Sequence, residues 1–427
     1  MTPSVTPKLP IPEPLRGNEV GSFAHLTVSV RLAGIAQQAM RENDFPSEVQ
    51  ERLQALSADL PYGKIRPLQD VTAPDAENWA CYLAPHLGKN WLEVPWFFAD
   101  IYFYRRILEA TGYFLPGPCR GLDPFREQKR LSYEVGREAI GEYLAQANAA
   151  LSRPTRDSLE QLLVMNVWGN QADLSVWAAD QEGRPNYRQM EQQRAHLLVN
   201  QAATVADFLL SRASLPCAVD FLMDNAGQEL ACDLALADFL LTSGLASQVR
   251  LHLKYHPLYV SDAMIQDVFQ MIAWLEAEAC ADARALAKRL KEHLETARLR
   301  LVDHLFWNSP LPMWQMPDDL RNELARADLI LSKGDANYRR LIGDCHWAFT
   351  TPLADVLCYL PVPLAALRVL KAETVIGLSP GQPEALFRQD PRWLSDGRWG
   401  LIQFYAASND EAVDESAEKG ALPSGYG

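Results

Sequence analysis

The spacing of apolar residues along the chain changes near residue 212. Over residues 28–212, apolar positions recur three or four residues apart, and Pro or Gly clusters separate the segments. This pattern predicts amphipathic helices. The most regular of these segments are 96–111, 158–168 and 186–210. Beyond Pro216, short apolar segments alternate with longer helical ones, which is typical of a mostly parallel sheet covered by helices on both faces.

The alternation predicts a particular set of elements. Strands are expected at 217–223, 248–253, 328–332, 373–378 and 400–405, and helices at 228–243, 261–279 and 282–306. We therefore predict an α/β fold, a three-layer α/β/α sandwich with a mostly parallel, Rossmann-like sheet and a large N-terminal helical region. The expected organisation is a disordered Pro-rich start (1–20), a helical region (21–212), an α/β region (213–406) and an acidic disordered tail (407–427). A length of 427 residues fits such an addition to a single core.

Polar residues follow two of the predicted strands at the points where the strands end. Asp224 and Asn225 come directly after the first, and the second leads through a short polar stretch to Ser261 and Asp262. The carboxyl ends of parallel strands meet at one edge of a sheet, where ligands bind in open α/β folds. Carboxylate and amide oxygens suit hard divalent cations. We therefore predict that Asp224, Asn225 and Asp262 hold one metal ion. The alternative is that they only cap the helices that follow them.

The third predicted strand leads into the segment KGDANYRRLIGD at 333–344. This segment combines carboxylates, an amide, a phenol and two guanidinium groups. Guanidinium groups match phosphate oxygens, whereas Asp and Asn side chains pair with hydroxyl groups. The combination indicates a binding site for a phosphorylated sugar at the same edge of the sheet.

Further strings of residues carry a resemblance to a known family. They are WFFADIYFYRRI (96–107), DPF (123–125), NVWGNQADLS (166–175), LRVLKAETVIGL (367–378) and WGLIQFY (399–405). Together with the strand-end motifs, and in this order, they resemble the metal-dependent damage-control phosphatases. The likeness is to the subgroup that includes the acidic-residue methyltransferase-like proteins of eukaryotes, and it spans roughly residues 91–405.

The resemblance implies roles for the strand-end residues. Asp224, Asn225 and Asp262 match the family's metal ligands and catalytic centre, and the first two also match substrate contacts. The implied metal is Mn, Co or Ni, with Mg as a further candidate. The implied substrates are small reactive phosphometabolites such as fructose phosphates.

Two more family motifs imply substrate-binding residues. A stretch of the form Asp-Leu-Asn-Tyr-Arg matches this chain with Ala in place of Leu, at Asp335, Ala336, Asn337, Tyr338 and Arg339. The subgroup's Arg-Thr-x-Lys motif matches Arg368 and Lys371, and its Lys binds substrate. Val369 stands where the motif has Thr, so one hydroxyl group of the motif is missing here.

Several residues near these motifs have two interpretations. Glu229, Asp233 and Asp238 could orient the metal ligands, but a solvated face or salt bridges is the more common reason for such acids. Lys254 could meet a phosphate oxygen or be a surface residue at a strand end. The basic residues Arg126, Lys129 and Arg130 could close over the substrate, but a solvated helix face is favoured. The aromatic residues could stack on a ligand, but packing between the helices and the sheet is favoured; they are Trp96, Phe97, Tyr102 and Tyr104. Arg340 is interpreted as a surface or structural charge.

Composition excludes some classes of function. The net charge of −14 weighs against general nucleic-acid binding, which needs clustered Lys and Arg. Seven scattered Cys residues form no Cys-x-x-Cys pair, which suits a reducing compartment. The Pro-rich start lacks the apolar core of a secretion signal, and no apolar run is long enough for a membrane span. We expect a cytoplasmic protein without a membrane partner, and favour a monomer.

Three functions are consistent with these residues. A metal-dependent phosphatase is the first, and direct hydrolysis by water is favoured because Ala226 stands where haloacid-dehalogenase-type phosphatases usually carry a second Asp, two residues after the nucleophile. An S-adenosylmethionine-dependent protein carboxyl methyltransferase is the second. It would need a Gly-rich first turn, and only Gly227 is present there. The third is a sugar-phosphate-binding protein without catalysis.

Overall fold

A computed structural model describes residues 6–169, 194–213 and 215–407. Its centre is a seven-stranded sheet with the order β1-β7-β6-β5-β2-β3-β4. The strands are β1 (Leu197–Asn200), β2 (Ala218–Leu222), β3 (Gln248–Leu253), β4 (Leu299–Asp303), β5 (Leu329–Lys333), β6 (Leu364–Val369) and β7 (Gly400–Tyr405). Strands β6 and β7 are antiparallel, and the other neighbouring pairs are parallel. The predicted α/β class with a mostly parallel sheet is confirmed.

Helices make up much of the rest of the described chain. In order, they are α1 (Phe23–Leu26), α2 (Leu32–Glu42), α3 (Ser47–Asp59), α4 (Ala76–Leu83), α5 (Trp96–Thr111), α6 (Arg126–Ser152), α7 (Arg156–Trp168), α8 (Ala202–Ser211), α9 (Gln228–Thr242), α10 (Ile265–Ala277), α11 (Ala281–Glu295), α12 (Asp318–Leu324), α13 (Asp335–Ile342), α14 (Leu353–Leu357) and α15 (Gln382–Gln389). A π-helical segment, Thr27–Arg31, joins α1 to α2. Two short 3₁₀ helices are Leu305–Asn308 and Met313–Gln315.

The sheet separates two hydrophobic cores. Alternate residues of β5 show this, because Leu329 and Leu331 pack with α6 to α11, whereas Ile330 packs on the other face with α12 to α15. Side chains of a strand point alternately to the two faces, so a strand buried on both sides reads as a continuous apolar run. The N-terminal helical region is therefore not one unit, since α6 and α7 belong to a layer of the sandwich.

A third core lies beside the sandwich and is built by α1 to α5. It also includes Leu258, Val260 and Ala372, which belong to loops at the carboxyl ends of the strands. Residues 15–125 thus pack against the edge of the sheet where the candidate ligands were predicted. This contact brings helical residues next to the strand-end loops.

Three element predictions were wrong. The segment 197–200 was predicted as helix but forms the edge strand β1, so the sheet begins before residue 213. The predicted helix 282–306 ends at Glu295, and β4 follows after a turn in which Ala297 has a φ of 55°. The predicted strand 373–378 is a loop, and the strand is β6 instead. A short apolar run fits either a strand or a buried loop. Hydrogen-bonded pairing with a neighbouring strand decides between them.

The start of the chain also differs from expectation. Residues 6–20 were expected to be disordered, but Leu15 is buried, its N–H donates to the carbonyl of Asp344, and its carbonyl accepts from the N–H of Trp96. Pro-rich composition does not reveal that a segment can dock on a neighbouring surface. The expected acidic residues of the tail, and residues 170–175 of the NVWGNQADLS string, lie outside the described residues. In the part of the chain that the structure describes, no helix is long and apolar enough to cross a membrane.

Candidate functional site

One cavity at the carboxyl edge of the sheet gathers residues from distant parts of the chain. Six of the eight residues predicted from the strand-end motifs line it together. They are Asp224, Asn225, Asp262, Asp335, Arg339 and Lys371. Three residues close to these in sequence, Tyr259, Ser261 and Ala336, also line it. The opposite wall comes from the N-terminal helices and consists of Phe23, Thr27, Arg31, Leu32, Ile35, Trp96, Asp100 and Tyr104.

Backbone hydrogen bonds join the two loops that carry the predicted metal ligands. Asn225 and Asp262 form an isolated antiparallel bridge. The N–H of Ala263 donates to the carbonyl of Asp224 at 2.7 Å, and the N–H of Ala226 donates to the carbonyl of Ser261 at 2.7 Å. The oxygen donors of both loops are therefore held on one rigid piece of backbone.

The third loop approaches the first one so closely that only glycine fits at its tip. Gly334 has a φ of 81°, and a Cβ atom built there would lie 1.8 Å from Oδ2 of Asp224. Gly334 also directly precedes α13, whose first residue is Asp335. The missing side chain thus lets Asp224 and the substrate motif share the cavity.

Negative charge accumulates around Asp224. Its pKa lies well above the usual range for a carboxyl group because the side chain is buried, and because Glu229 and Asp262 are close; Lys254 and Lys371 oppose this shift. A group of buried oxygen donors with excess negative charge is the environment that a divalent cation stabilises. The donor set therefore fits a hard metal ion. Within the described residues, no group of three or more His, Cys, Asp or Glu side chains is placed to hold a metal ion. The candidate set is instead two carboxylates and the amide of Asn225.

Glu229 orients the amide of Asn225. The amide Nδ2 of Asn225 donates to Glu229 Oε2 and to Asp224 Oδ2, each at 2.9 Å, and its Oδ1 accepts from the hydroxyl of Ser261 at 2.6 Å. Lys333 in turn lies 3.2 Å from Glu229. Glu229 is therefore not on a solvated face: its carboxylate is buried, forms a salt bridge as the favoured interpretation allowed, and also contacts a candidate ligand.

The other two acids of α9 are also buried rather than solvated. Asp233 accepts from Asn166 at 2.9 Å and pairs with Lys333 at 3.1 Å. Asp238 pairs with Arg289 at 2.7 Å and lies away from the cavity. Asp233 thus extends the charge network behind the cavity, whereas Asp238 joins α9 to α11.

Lys254 lies behind the predicted metal ligands. Its Nζ lies 3.3 Å from Asp262 Oδ2 and donates to the carbonyl of Met223 at 3.1 Å. The side chain is buried and does not line the cavity. Lys254 is therefore neither a surface residue nor a direct phosphate contact, because its charge is directed at Asp262.

Asn337 and Tyr338 do not line the cavity. The amide of Asn337 donates to the carbonyls of Leu222, Met223 and Lys333 and so ties the end of β2 to that of β5. The hydroxyl of Tyr338 donates to Gln403 at 2.9 Å. Both side chains make backbone and packing contacts instead of facing the cavity. The motif alone does not reveal this.

Arg368 positions Asp335 beside Lys371. Its guanidinium lies 2.7 Å from Asp335 Oδ1, and the backbone N–H of Lys371 donates to the same oxygen at 3.0 Å. The guanidinium also lies over the ring of Tyr338, 4.3 Å from its centroid. Val369 packs in the core between the sheet and α6 to α11. The position at which this chain lacks the Thr hydroxyl group of the motif therefore lies outside the cavity lining.

Arg339 is held rigidly at the cavity. It donates to both oxygens of Asp344, at 2.9 and 2.8 Å, and to Asp100 at 2.9 Å, and its guanidinium lies 3.7 Å from the ring centroid of Trp96. Burial raises the pKa of Asp100 to about 6 against the opposing effect of Arg339. The next residue, Arg340, donates to the carbonyls of Leu311 and Trp307, so it is a structural charge rather than a surface one.

Sequence reasoning missed the wall formed by the N-terminal helices. Packing was the favoured interpretation of Trp96 and Tyr104, yet both line the cavity. The spacing of Thr27 and Arg31, polar residues four apart in an apolar helix, was the signal that could have found this wall. The solvated face predicted for Lys129 was also wrong, since its ammonium group is buried between Asp123 and Asp267 at 2.9 and 2.8 Å.

The loop before Asp262 has an unusual backbone. Tyr259 and Val260 have φ angles of 47° and 60°, in the left-handed region that non-glycine residues rarely adopt. A β-branched residue such as Val260 is particularly disfavoured there. Strain of this kind concentrates at functional sites, where the surrounding structure must hold it in place.

Comparison with known proteins shows the family of this chain. The model of the damage-control phosphatase ARMT1-like domain matches residues 27–386. The chain belongs to this family. Damage-control phosphatase ARMT1 of Rattus norvegicus is 31% identical over 91% of this chain and 98% of its own length. The protein of the same name from Xenopus laevis is 33% identical over 90% of this chain and 96% of its own, and that from Homo sapiens 30% over 92% and 98%.

Family membership establishes the class of activity. The chain is a phosphatase of the damage-control type, and its substrate is a small phosphorylated metabolite. The matched residues include all eight that the strand-end motifs predicted as site residues.

Proposed function

We propose that this phosphatase hydrolyses small sugar phosphates, such as fructose phosphates, with a divalent metal held by Asp224, Asn225 and Asp262. The observation that carries the proposal is the shared cavity, in which these three oxygen donors lie together with Asp335, Arg339 and Lys371. We further propose Mn, Co or Ni as the metal, with Mg as an alternative.

The metal ion and the cationic side chains would together neutralise the negative charge of the phosphoryl group. When bound, the ion would supply charge to phosphoryl oxygens and acidify a water molecule. Lys371 lines the same cavity and adds positive charge for the phosphoryl group, which phosphoryl transfer needs in its transition state. The rigid guanidinium of Arg339 presents its remaining N–H groups to the same anion, although Asp100 and Asp344 already balance its charge.

Asp335 orients the sugar in this proposal. Arg368 and the backbone N–H of Lys371 fix one of its oxygens, so the carboxylate can accept hydrogen bonds from sugar hydroxyls in a defined direction. Asn337 and Tyr338 act indirectly, since Asn337 ties two strand ends together and Tyr338 supports Arg368.

The proposal is tested by release of inorganic phosphate from a panel of phosphorylated sugars in the presence of Mn, Co, Ni or Mg. We expect release by the wild-type protein, and none above background for Asp224→Ala or Asp262→Ala with the fold retained by circular dichroism. Asp157→Ala, which changes an exposed acid on α7, is the matched control and should behave as wild type. Full turnover in either cavity variant would refute the metal assignment.

No observation favours the methyltransferase or the non-catalytic alternative. Gly227 has a packing role, because a Cβ atom there would lie 2.0 Å from Oγ of Ser132 in α6. Titration with S-adenosylmethionine is a direct check, and we expect no heat of binding.

A further inference from the structure

The N-terminal helices present one side-chain row to the cavity. Phe23, Thr27, Arg31 and Ile35 follow each other at intervals of four residues, and all four line it. In a regular α-helix, a step of four residues advances about 40° around the axis, so such a row would turn away from the cavity. The π-helical segment Thr27–Arg31 has a wider turn and reverses this drift. The segment therefore keeps Arg31 on the face that meets the strand-end loops.

Contacts within this row hold the Arg31 side chain at the cavity. Its guanidinium lies 4.8 Å from the ring centroid of Phe23, and its Nη1 donates to the hydroxyl of Thr27 at 3.4 Å. The residue is only partly buried. It is also close enough to favour the charged form of Asp100, another lining residue. The planar donor group is thus oriented by two residues that themselves line the cavity.

Glu373 fixes this row relative to Lys371. Its carboxylate accepts from the backbone N–H of Phe23 at 2.8 Å and from that of Ala24 at 3.4 Å, at the start of α1. Lys371 lies two residues before Glu373 in the same loop. The helix that carries Arg31 and the loop that carries Lys371 are therefore tied together, although they lie far apart in the sequence.

We propose that Arg31 is a substrate-binding residue that contacts the phosphate group of the substrate. This inference rests on the proposed phosphatase function. Among the described lining residues, four carboxylates face three cations, which are Arg31, Arg339 and Lys371. With a divalent ion bound, the formal charge of the lining is positive by one, and without Arg31 it is zero. A guanidinium group is also the donor that best matches phosphate oxygens.

The test compares Arg31→Ala, Arg31→Gln and Arg31→Lys with the wild-type protein. We expect Arg31→Ala and Arg31→Gln to raise KM for the sugar phosphate roughly 10- to 100-fold, the range for loss of a charge-assisted hydrogen bond. The value of kcat should change less. The inhibition constant of inorganic phosphate, the product, should rise by a similar factor, and Arg31→Lys should recover part of both losses. Arg41→Ala, on the exposed face of α2, is the matched control and should match wild type.

Two results would overturn the assignment. One is a phosphate inhibition constant in Arg31→Gln within twofold of wild type, and the other is a loss confined to kcat. If the wild-type protein releases no phosphate from any sugar of the panel, the proposed function fails. Calorimetric titration with inorganic phosphate then still tests Arg31, because weaker binding by Arg31→Gln than by wild type supports the assignment and equal or absent binding refutes it.

Discussion

The cavity has two walls that are built by different physical means. The wall of strand-end loops is held by buried ion pairs and backbone bridges, such as Lys333 with Glu229 and Asn225 with Asp262. The wall of N-terminal helices is held mainly by aromatic packing and by the two hydrogen bonds of Glu373, with one ion pair, between Asp100 and Arg339, joining it to the other wall. We infer that the first wall is rigid and fixes the metal ligands, whereas the second adjusts substrate affinity. Each of the following predictions tests this difference.

Removing the central cation of the strand-end wall should have the largest effect. Lys333 is buried between Glu229 and Asp233, so Lys333→Met would leave two buried carboxylates without their partner. We expect a loss of about 3–5 kcal/mol in the free energy of unfolding, measured by urea denaturation. Lys291→Met, which breaks an exposed pair with Glu276, is the control and should change little. An equal effect of both variants would contradict the rigid-wall interpretation.

Changing the residue that orients Asn225 should weaken metal binding. Glu229→Gln keeps the shape of the side chain but loses the negative charge that accepts from Asn225. Partners of this kind are typically worth 10- to 100-fold in metal affinity, and we expect a loss of roughly that size in a titration with Mn. Glu276→Gln on the exposed face of α10 serves as the control. Unchanged affinity in Glu229→Gln would remove Glu229 from the site.

Weakening the tether of the N-terminal wall should change substrate affinity and leave metal affinity intact. Glu373→Gln replaces the charged acceptor of Phe23 and Ala24 by a neutral amide. We expect KM to rise a few-fold, because a hydrogen bond to a neutral acceptor is weaker than one to a charged acceptor. Glu384→Gln, in the first turn of α15, is the matched control. A loss of metal affinity in Glu373→Gln would show that the two walls do not act separately.

The smallest effect is expected from His86, which packs on Phe98 in the N-terminal core at 4.2 Å. Burial, with help from Lys89 and Arg16, lowers its pKa to about 4. The unfolded chain therefore binds a proton below about pH 6.5 that the folded protein does not bind until pH falls to about 4. Stability is thus lost as pH falls through this window. In His86→Gln the midpoint of thermal unfolding should depend less on pH between 4 and 6.5, and an identical dependence would contradict the assignment.

The strand-end residues could be predicted because topology alone brings them together. Asp224, Asp262 and Asp335 all follow strands of one parallel sheet, and such strands end at a common edge. The same reasoning could not say which side chains of the substrate motif face the cavity. Asn337 and Tyr338 are turned into backbone and packing contacts because α13 places them on its inner side.

The class of fold, the edge of the sheet that carries the site and the residue types that suit a metal and a phosphate can all be read from the order of residues in the chain. The class of fold follows from local periodicity. The position of the site follows because a residue directly after a strand must lie close to the end of that strand. Three contacts became visible only in the folded chain: Glu229 supports Asn225, Lys254 faces Asp262, and Arg31 joins the cavity. Those contacts depend on how helices and loops distant in sequence pack together, and no local pattern encodes that packing.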